Sequence, residues 1–323
     1  MRHVIGIDLG GTKTAGGIVD GGGNVVFSST AATPAQSGAA AVLENTAVLV
    51  RSLQREAARR GLDVDALGIG SAGVIDSGRG VVVSATDAIL GWAGTALTAE
   101  LSALTGLPAT ALNDVHAHAL GESWLGAGAG VPSVLFIGMG TGVGGGYVLH
   151  GECIEGASFT AGHVGHFASP FAYEAGQPLP CSCAGAGHVE AVASGPGIHA
   201  LYRRLGGRAA EDGGAEDTRA VYRLAADGDP TASEALRRGA AAAGSAIGGL
   251  ANILDPAVVV VGGGLAFAGP LWWDRMETEA RRELLPPLAN LRIVPAQLGE
   301  TAAIRGAARR ALILFPVTEG THV

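Results

Sequence analysis

Residues 161–190 read AGHVGHFASPFAYEAGQPLPCSCAGAGHVE, which gathers His163, His166, Cys181, Cys183 and His188 into one short segment. Imidazole nitrogens and thiolates are soft donors, and their density here admits three readings: a catalytic metal, a structural metal, or chance proximity. The Cys-Ser-Cys spacing suits a metal better than a disulfide framework, and the third cysteine, Cys153, leaves an odd total and is expected to be a buried bystander. A second chemical signal is ALNDVHAHALGE, residues 111–122. An apolar strand ending in Asn113 and Asp114 puts a carboxylate at a strand's C-terminal end, where it serves as general base toward a hydroxyl or simply caps the following helix. His116 and His118 are expected to decorate the surface of that helix.

Glycine turns supply a third signal. In GIDLGGTKT an apolar strand delivers Asp8, and Gly10, Gly11 and Thr12 follow as a tight turn. Glycine lets backbone amides approach a phosphate with no Cβ in the way, while Thr12 and Lys13 add a hydroxyl and a cation. The spacing is neither that of a Walker loop nor that of a dinucleotide fingerprint. A second turn, GMGTGVGGG, carries Gly140, Thr141 and Gly142, and a third, VVVVGGGLA, leaves a buried strand at Gly262, Gly263 and Gly264. Each is compatible with a plain hairpin, but three such turns converging on one cleft favour a nucleotide.

The elements that must position these residues are legible in outline. Short Val/Ile/Leu runs closed by glycine read as buried strands, and ALTAELSALTG and GAAAAGSAIGGLANIL have helical spacing, so the class is α/β. IGIDLGGTKTAGGIVD and FIGMGTGVGGGYVLHG resemble each other, which hints at two related halves. Residues 208–229 are polar and are expected to form a loop and an outer, solvated helix. With 323 residues, 48% of them hydrophobic, the chain is long enough for two cored domains. Its net charge of -8 leaves no basic footprint for nucleic acid or anionic membrane, and no window reaches the roughly 20 apolar residues of a membrane span. A cytoplasmic protein is expected.

These pieces, in this order, resemble the ROK family of bacterial sugar kinases and sugar-responsive repressors within the actin-like ATPase superfamily. The resemblance rests on DLGGTKT, GSAGVID (residues 70–76), LND, FIGMGTGVGGG followed by GASFTAGHVGH, CSCAGAGHVEAVASG, NILDPAVVVVGGG and LGETAAIRGAA, and spans almost the whole chain. It implies a two-lobed actin-like (ribonuclease H-like) α/β fold with a sugar and ATP cleft between lobes. The expected division is an N-terminal lobe over 1–112, a larger lobe over 113–298 and a helix over 299–323 returning to the first. It further implies a homodimer or higher homo-oligomer, with ATP, Mg²⁺ and a structural Zn²⁺ as cofactors.

Carried over residue by residue, the resemblance makes Asp114 the base that takes the proton of the sugar's 6-hydroxyl. Gly73, Asp87, Asn113, His163, His166 and Glu190 contact the sugar. Asp8 orients magnesium, and Gly10, Gly11, Thr12, Lys13, Gly140, Thr141, Gly142, Gly262, Gly263 and Gly264 hold the nucleotide. The zinc set is His166, Cys181, Cys183 and His188, with His188 where the family usually has a third cysteine. Two histidines and two cysteines still close a tetrahedron, leaving no open position for water, which argues for a staple. Most family kinases carry Glu where this chain has His163, and the His-x-Gly-His version resembles the N-acetylmannosamine-phosphorylating branch. Glucose phosphorylation is the alternative. The usual Asn-Leu-Pro-Gly-Trp sugar element is here TDAILGW, with Ala88 at the Asn position and Asp87 adjacent. A weakened sugar contact there would fit a regulator, but the first strand begins at about Val4, leaving no room for a winged helix, and the retained phosphate turn and base favour an enzyme.

Overall fold

The computed structural model describes residues 2–316; the last part of the expected 299–323 segment, residues 317–323, lies outside the described residues. The chain divides into two units, each described by itself. The first takes residues 2–130, 151–161 and 298–316, and the second takes residues 131–150 and 162–297. The first unit therefore continues past the expected limit at 112, because the helix after Asn113 packs against the C-terminal helix rather than joining the following strands.

In the first unit, β1 (His3–Leu9), β2 (Lys13–Asp20), β3 (Val25–Ala32), β4 (Val64–Ser71) and β7 (Ala109–Asn113) form a sheet of order β3-β2-β1-β4-β7. The hairpins β1–β2 and β2–β3 are antiparallel, while β1, β4 and β7 run parallel. β5 (Val74–Asp76) and β6 (Val81–Ser84) make a separate hairpin, and β10 (Glu152–Cys153) is a two-residue strand. Helix α1 (Ala39–Arg59) presents Val42, Leu49, Val50 and Leu53 to one face of the sheet, with Leu97 and Leu101 of α2 (Leu97–Thr105) in the same core. Gly106, with φ 74°, ends α2, as the glycine after ALTAELSALT requires.

Helix α9 (Ala302–Leu314) covers the other face of the sheet, where Ile304, Ala308 and Ala311 meet Val4, Ala15, Val19 and Ala66. Side chains on Gly6 or Gly68 would overlap the Ile304 or Ala307 carbonyl, so these two glycines set how closely α9 lies on β1 and β4. On its flank α9 packs along α3 (Asp114–Leu125), where Gly306 meets the Ala117 carbonyl.

The second unit repeats the plan. β8 (Ser133–Met139) pairs antiparallel with β9 (Val143–Leu149) and parallel with β13 (Val258–Gly262), which pairs parallel with β14 (Arg292–Pro295). A short ribbon, β11 (Tyr173–Glu174) and β12 (Gln177–Pro178), lies between β9 and α4 (Glu190–Ala193) along the chain. Helices α5 (Gly195–Arg204), α6 (Thr218–Ala226), α7 (Pro230–Leu254) and α8 (Pro270–Glu283) complete the unit. The alanine-rich face of α7 buries Leu236, Ala240, Ala243 and Ile247 in a core with Leu135, Ile137, Val259 and Val261. The polar stretch 208–229 does contain a helix, but α6 buries Ala220, Val221 and Ala225 in that core and is not simply solvated.

Candidate functional site

Asp8 and Asp114 are brought together by sheet order. β1, β4 and β7 are parallel neighbours, with Asp8 beside Gly70 and Gly70 beside Leu112, so Asp114 follows two residues further along the same edge. Gly70 separates the two acids with no side chain; a Cβ there would come within 3.7 Å of the Asp114 Cα. Burial pushes both carboxyls above their ordinary range, and the Asp8 charge raises Asp114 further. The imidazole of His118 opposes the rise at both acids. His118 is half-buried and four residues after Asp114, on the same face of α3. It is therefore not surface decoration, and the Asp-x-x-x-His spacing on a helix is the sequence signal that points to it. His116 is also not on the surface: it is 2% exposed, and its Nε2 donates to the Ala161 carbonyl at 2.7 Å.

Asn113 caps α3, its Oδ1 accepting from the Val115 and His116 amides. Its Nδ2 donates to the Gly73 carbonyl at 2.9 Å. Capping therefore falls to Asn113, and Asp114 is the first helical residue, its Oδ1 accepting from the Val115 amide at 2.8 Å. Gly73, with φ 101°, belongs to a loop fixed from the other side by Trp92, whose indole N–H donates to Ser71 Oγ and the Ala72 carbonyl, both at 3.2 Å. The Trp92 segment also passes the first glycine turn, where a Cβ on Gly11 would sit 3.2 Å from the Ala88 carbonyl. Asp87 is exposed beside it. In that turn Gly10 N–H donates to the Lys13 carbonyl at 3.1 Å, Thr12 is exposed, and Lys13 pairs with Glu300 at 3.4 Å.

In the second unit, the parallel pairing of β8 with β13 places Gly138 opposite Gly262, so the turns after these strands are neighbours. Gly263, with φ 81°, lies against the Met139 backbone, and a Cβ on Gly140 would be 3.9 Å from the Gly264 amide. Gly140, Thr141 and Gly142 thus share one edge with Gly262, Gly263 and Gly264. The turn holding His163 is tied to β9 by a 2.7 Å bond from the Gly145 amide to the Gly162 carbonyl, and Gly165 lies against Val143. Glu190, 8% exposed, accepts from the Val143 amide at 2.8 Å and from Ser182 Oγ.

His166, Cys181, Cys183 and His188 converge, their donor atoms all within 4.8 Å of one another. Cys181 Sγ lies 3.6 Å from His166 Nδ1, and Cys183 Sγ lies 3.3 Å from His188 Nδ1. A tetrahedral zinc with ordinary Zn–S and Zn–N bonds separates its sulfur and nitrogen ligands by about 3.6 Å, so the set suits that ion. Gly185 leaves room for the His188 ring, which a Cβ there would approach at 2.6 Å. Cys153 stands apart from this cluster, half-buried, its thiol pushed up to about 12 mainly by burial. Among the described residues no helix is long and apolar enough to cross a membrane.

Residues 4–313 match the ROK family. The chain belongs to the ROK family. It is 32% identical to a glucokinase of Streptomyces coelicolor, over 95% of this chain and 97% of that protein. It is equally 32% identical to an N-acetylmannosamine kinase of Escherichia fergusonii, over 94% of this chain and 96% of that protein. Among solved structures, the ROK-family glucokinase of Streptomyces griseus in complex with glucose and AMPPNP has a TM-score of 0.78 at 31% identity, covering 96% of this chain and 99% of the other. A two-lobed α/β ROK sugar-kinase fold, and hence an enzyme of that kind, follows from this match along nearly the full length.

Proposed function

We propose that this ROK-family sugar kinase transfers the γ-phosphoryl group of ATP to the 6-hydroxyl of an N-acetylhexosamine, N-acetylmannosamine foremost. The observation that carries the substrate choice is His163. A neutral imidazole donates to or accepts from a 2-acetamido group, whereas a carboxylate at that position would repel the acetamido oxygen. Glucose is the second reading, favoured by the Streptomyces coelicolor relative at the same identity.

In this mechanism Asp114 accepts the proton of the attacking hydroxyl, and its raised pKa makes it the stronger base. Asn113 and Gly73 shape the loop beside it, with Asp87 at the rim, while His163 and Glu190 complete the sugar contacts. Gly10, Gly11, Thr12 and Lys13, with Gly140, Thr141 and Gly142, hold phosphates, and Gly262, Gly263 and Gly264 border the adenosine. Asp8 would hold magnesium, which would neutralise charge on the transferring group. His166, Cys181, Cys183 and His188 would hold a structural zinc, which would fix the loop between His163 and Glu190. The expected assembly is a homodimer or a higher homo-oligomer.

The test is ADP release from purified protein with ATP and Mg²⁺, comparing N-acetylmannosamine, N-acetylglucosamine, glucose and mannose. Preference for N-acetylmannosamine supports the assignment, and preference for glucose replaces it with a glucokinase. Absence of turnover with all four would remove the kinase reading for these sugars.

A further inference from the structure

The residue between the two cysteines of the metal cluster does not face away from the chemistry. Ser182 Oγ donates to one carboxylate oxygen of Glu190, and the other oxygen accepts from the Val143 amide at 2.8 Å. The Gly142 carbonyl, on the same peptide as that amide, accepts from the Gly140 amide at 2.9 Å. The Gly142–Val143 peptide is therefore held at both ends, one of them by Glu190. The fit is close: a Cβ on Gly142 would stand 2.9 Å from Glu190 Oε2. Glu190 is tied a second time to the metal segment, since its own amide donates to the Gly165 carbonyl at 2.9 Å, next to His166.

We propose that Ser182 is a positioning residue for the nucleotide, linking the His166/Cys181/Cys183/His188 cluster through Glu190 to the glycine turn at residues 140–143. Metal on Cys181 and Cys183 fixes the backbone on both sides of Ser182 and so fixes its hydroxyl. The hydroxyl orients the Glu190 carboxylate, and the carboxylate sets the peptide that shapes the turn. A charge-assisted hydrogen bond of this kind, made by the exposed Ser182 to the buried Glu190 carboxylate, carries the coupling. The inference rests on the proposed reading of that turn as a phosphate holder and of the cluster as a zinc site. Linkage makes it reciprocal: nucleotide in the turn must tighten the hold on zinc.

The test uses the zinc-loaded full chain and two readouts, calorimetric binding of Mg²⁺–AMPPNP and the rate of zinc transfer to a chromogenic chelator. Ser182→Ala is expected to keep its zinc and to weaken AMPPNP binding about fivefold, with Ser182→Thr restoring it. AMPPNP is expected to slow zinc transfer from the wild-type chain by a similar factor, and to lose that effect in Ser182→Ala. Wild-type binding of AMPPNP with no change in Ser182→Ala, or zinc transfer indifferent to AMPPNP in the wild-type chain, overturns the link while leaving the kinase reading in place. A wild-type chain that binds no AMPPNP, or purifies without zinc, overturns both the link and the reading beneath it.

Discussion

At the residue scale, Asp114 holds the clearest conflict between stability and activity. Its folded-state pKa is raised above the ordinary 3.8, so the folded chain binds more protons than the unfolded one between 3.8 and the raised value. The associated stability is present below 3.8 and is lost as pH rises through the folded pKa, so the carboxylate is a cost to the fold at pH 7. Asp114→Asn is therefore expected to raise Tm at pH 7 while lowering kcat by about 10²- to 10⁴-fold. Calorimetry and steady-state rates on the same preparation decide this, and wild-type kcat in the variant would remove Asp114 from the role of base. The same pKa predicts that kcat/KM falls on the acid side at a pH above the normal carboxylate range. His163→Glu is expected to lower kcat/KM for N-acetylmannosamine by about tenfold or more relative to glucose, because a carboxylate leaves the acetamido oxygen without a donor. An unchanged ratio between the two sugars would free His163 of any part in the choice.

The element scale is governed by close approach. α9 lies on β1 and β4 because Gly6 and Gly68 carry no side chains, and along α3 because Gly306 and Gly121 do the same at the Ala117 and Ala302 carbonyls. Gly6→Ala forces the helix outward from the sheet bearing Asp8, and a loss of about 1 to 3 kcal/mol in denaturant unfolding is expected. Stability equal to wild type would show that α9 can shift at no cost. The strand-turn-strand pattern was readable in the sequence, since buried β-strands closed by glycine have a clear signature. What joins β1, β4 and β7 side by side was not, because parallel strands meet through crossovers far apart in the chain.

At the scale of the whole molecule, the first unit is built from three separate stretches of chain, its last piece arriving after the second unit is complete. A chain ending at residue 297 leaves Val4, Ala15, Val19 and Ala66 uncovered on one face of the sheet. Such a truncation is expected to lose cooperative unfolding and to aggregate on expression, and a soluble fragment with a sharp thermal transition would contradict this. Metal acts at this scale too, since it stabilises only the folded arrangement of His166, Cys181, Cys183 and His188. Chelation is expected to lower Tm and to open the exposed Cys183 to alkylation, whereas Cys153, its thiol pushed up to about 12, stays unmodified at pH 8 in the native protein.

The α/β class, the glycine turns, the carboxylate at the end of a strand and the Cys/His segment were legible along the chain, because each is local: residue types at fixed short spacing. Tertiary structure decided the rest. It set Asp8 against Asp114 through the order of three parallel strands and took His116 out of solvent. It placed His118 beside the acids, and it turned Ser182, an unremarked residue between two cysteines, toward Glu190. These relations join residues distant in the chain, and the hydrogen bonds and packing that create them exist only once the sheet has formed.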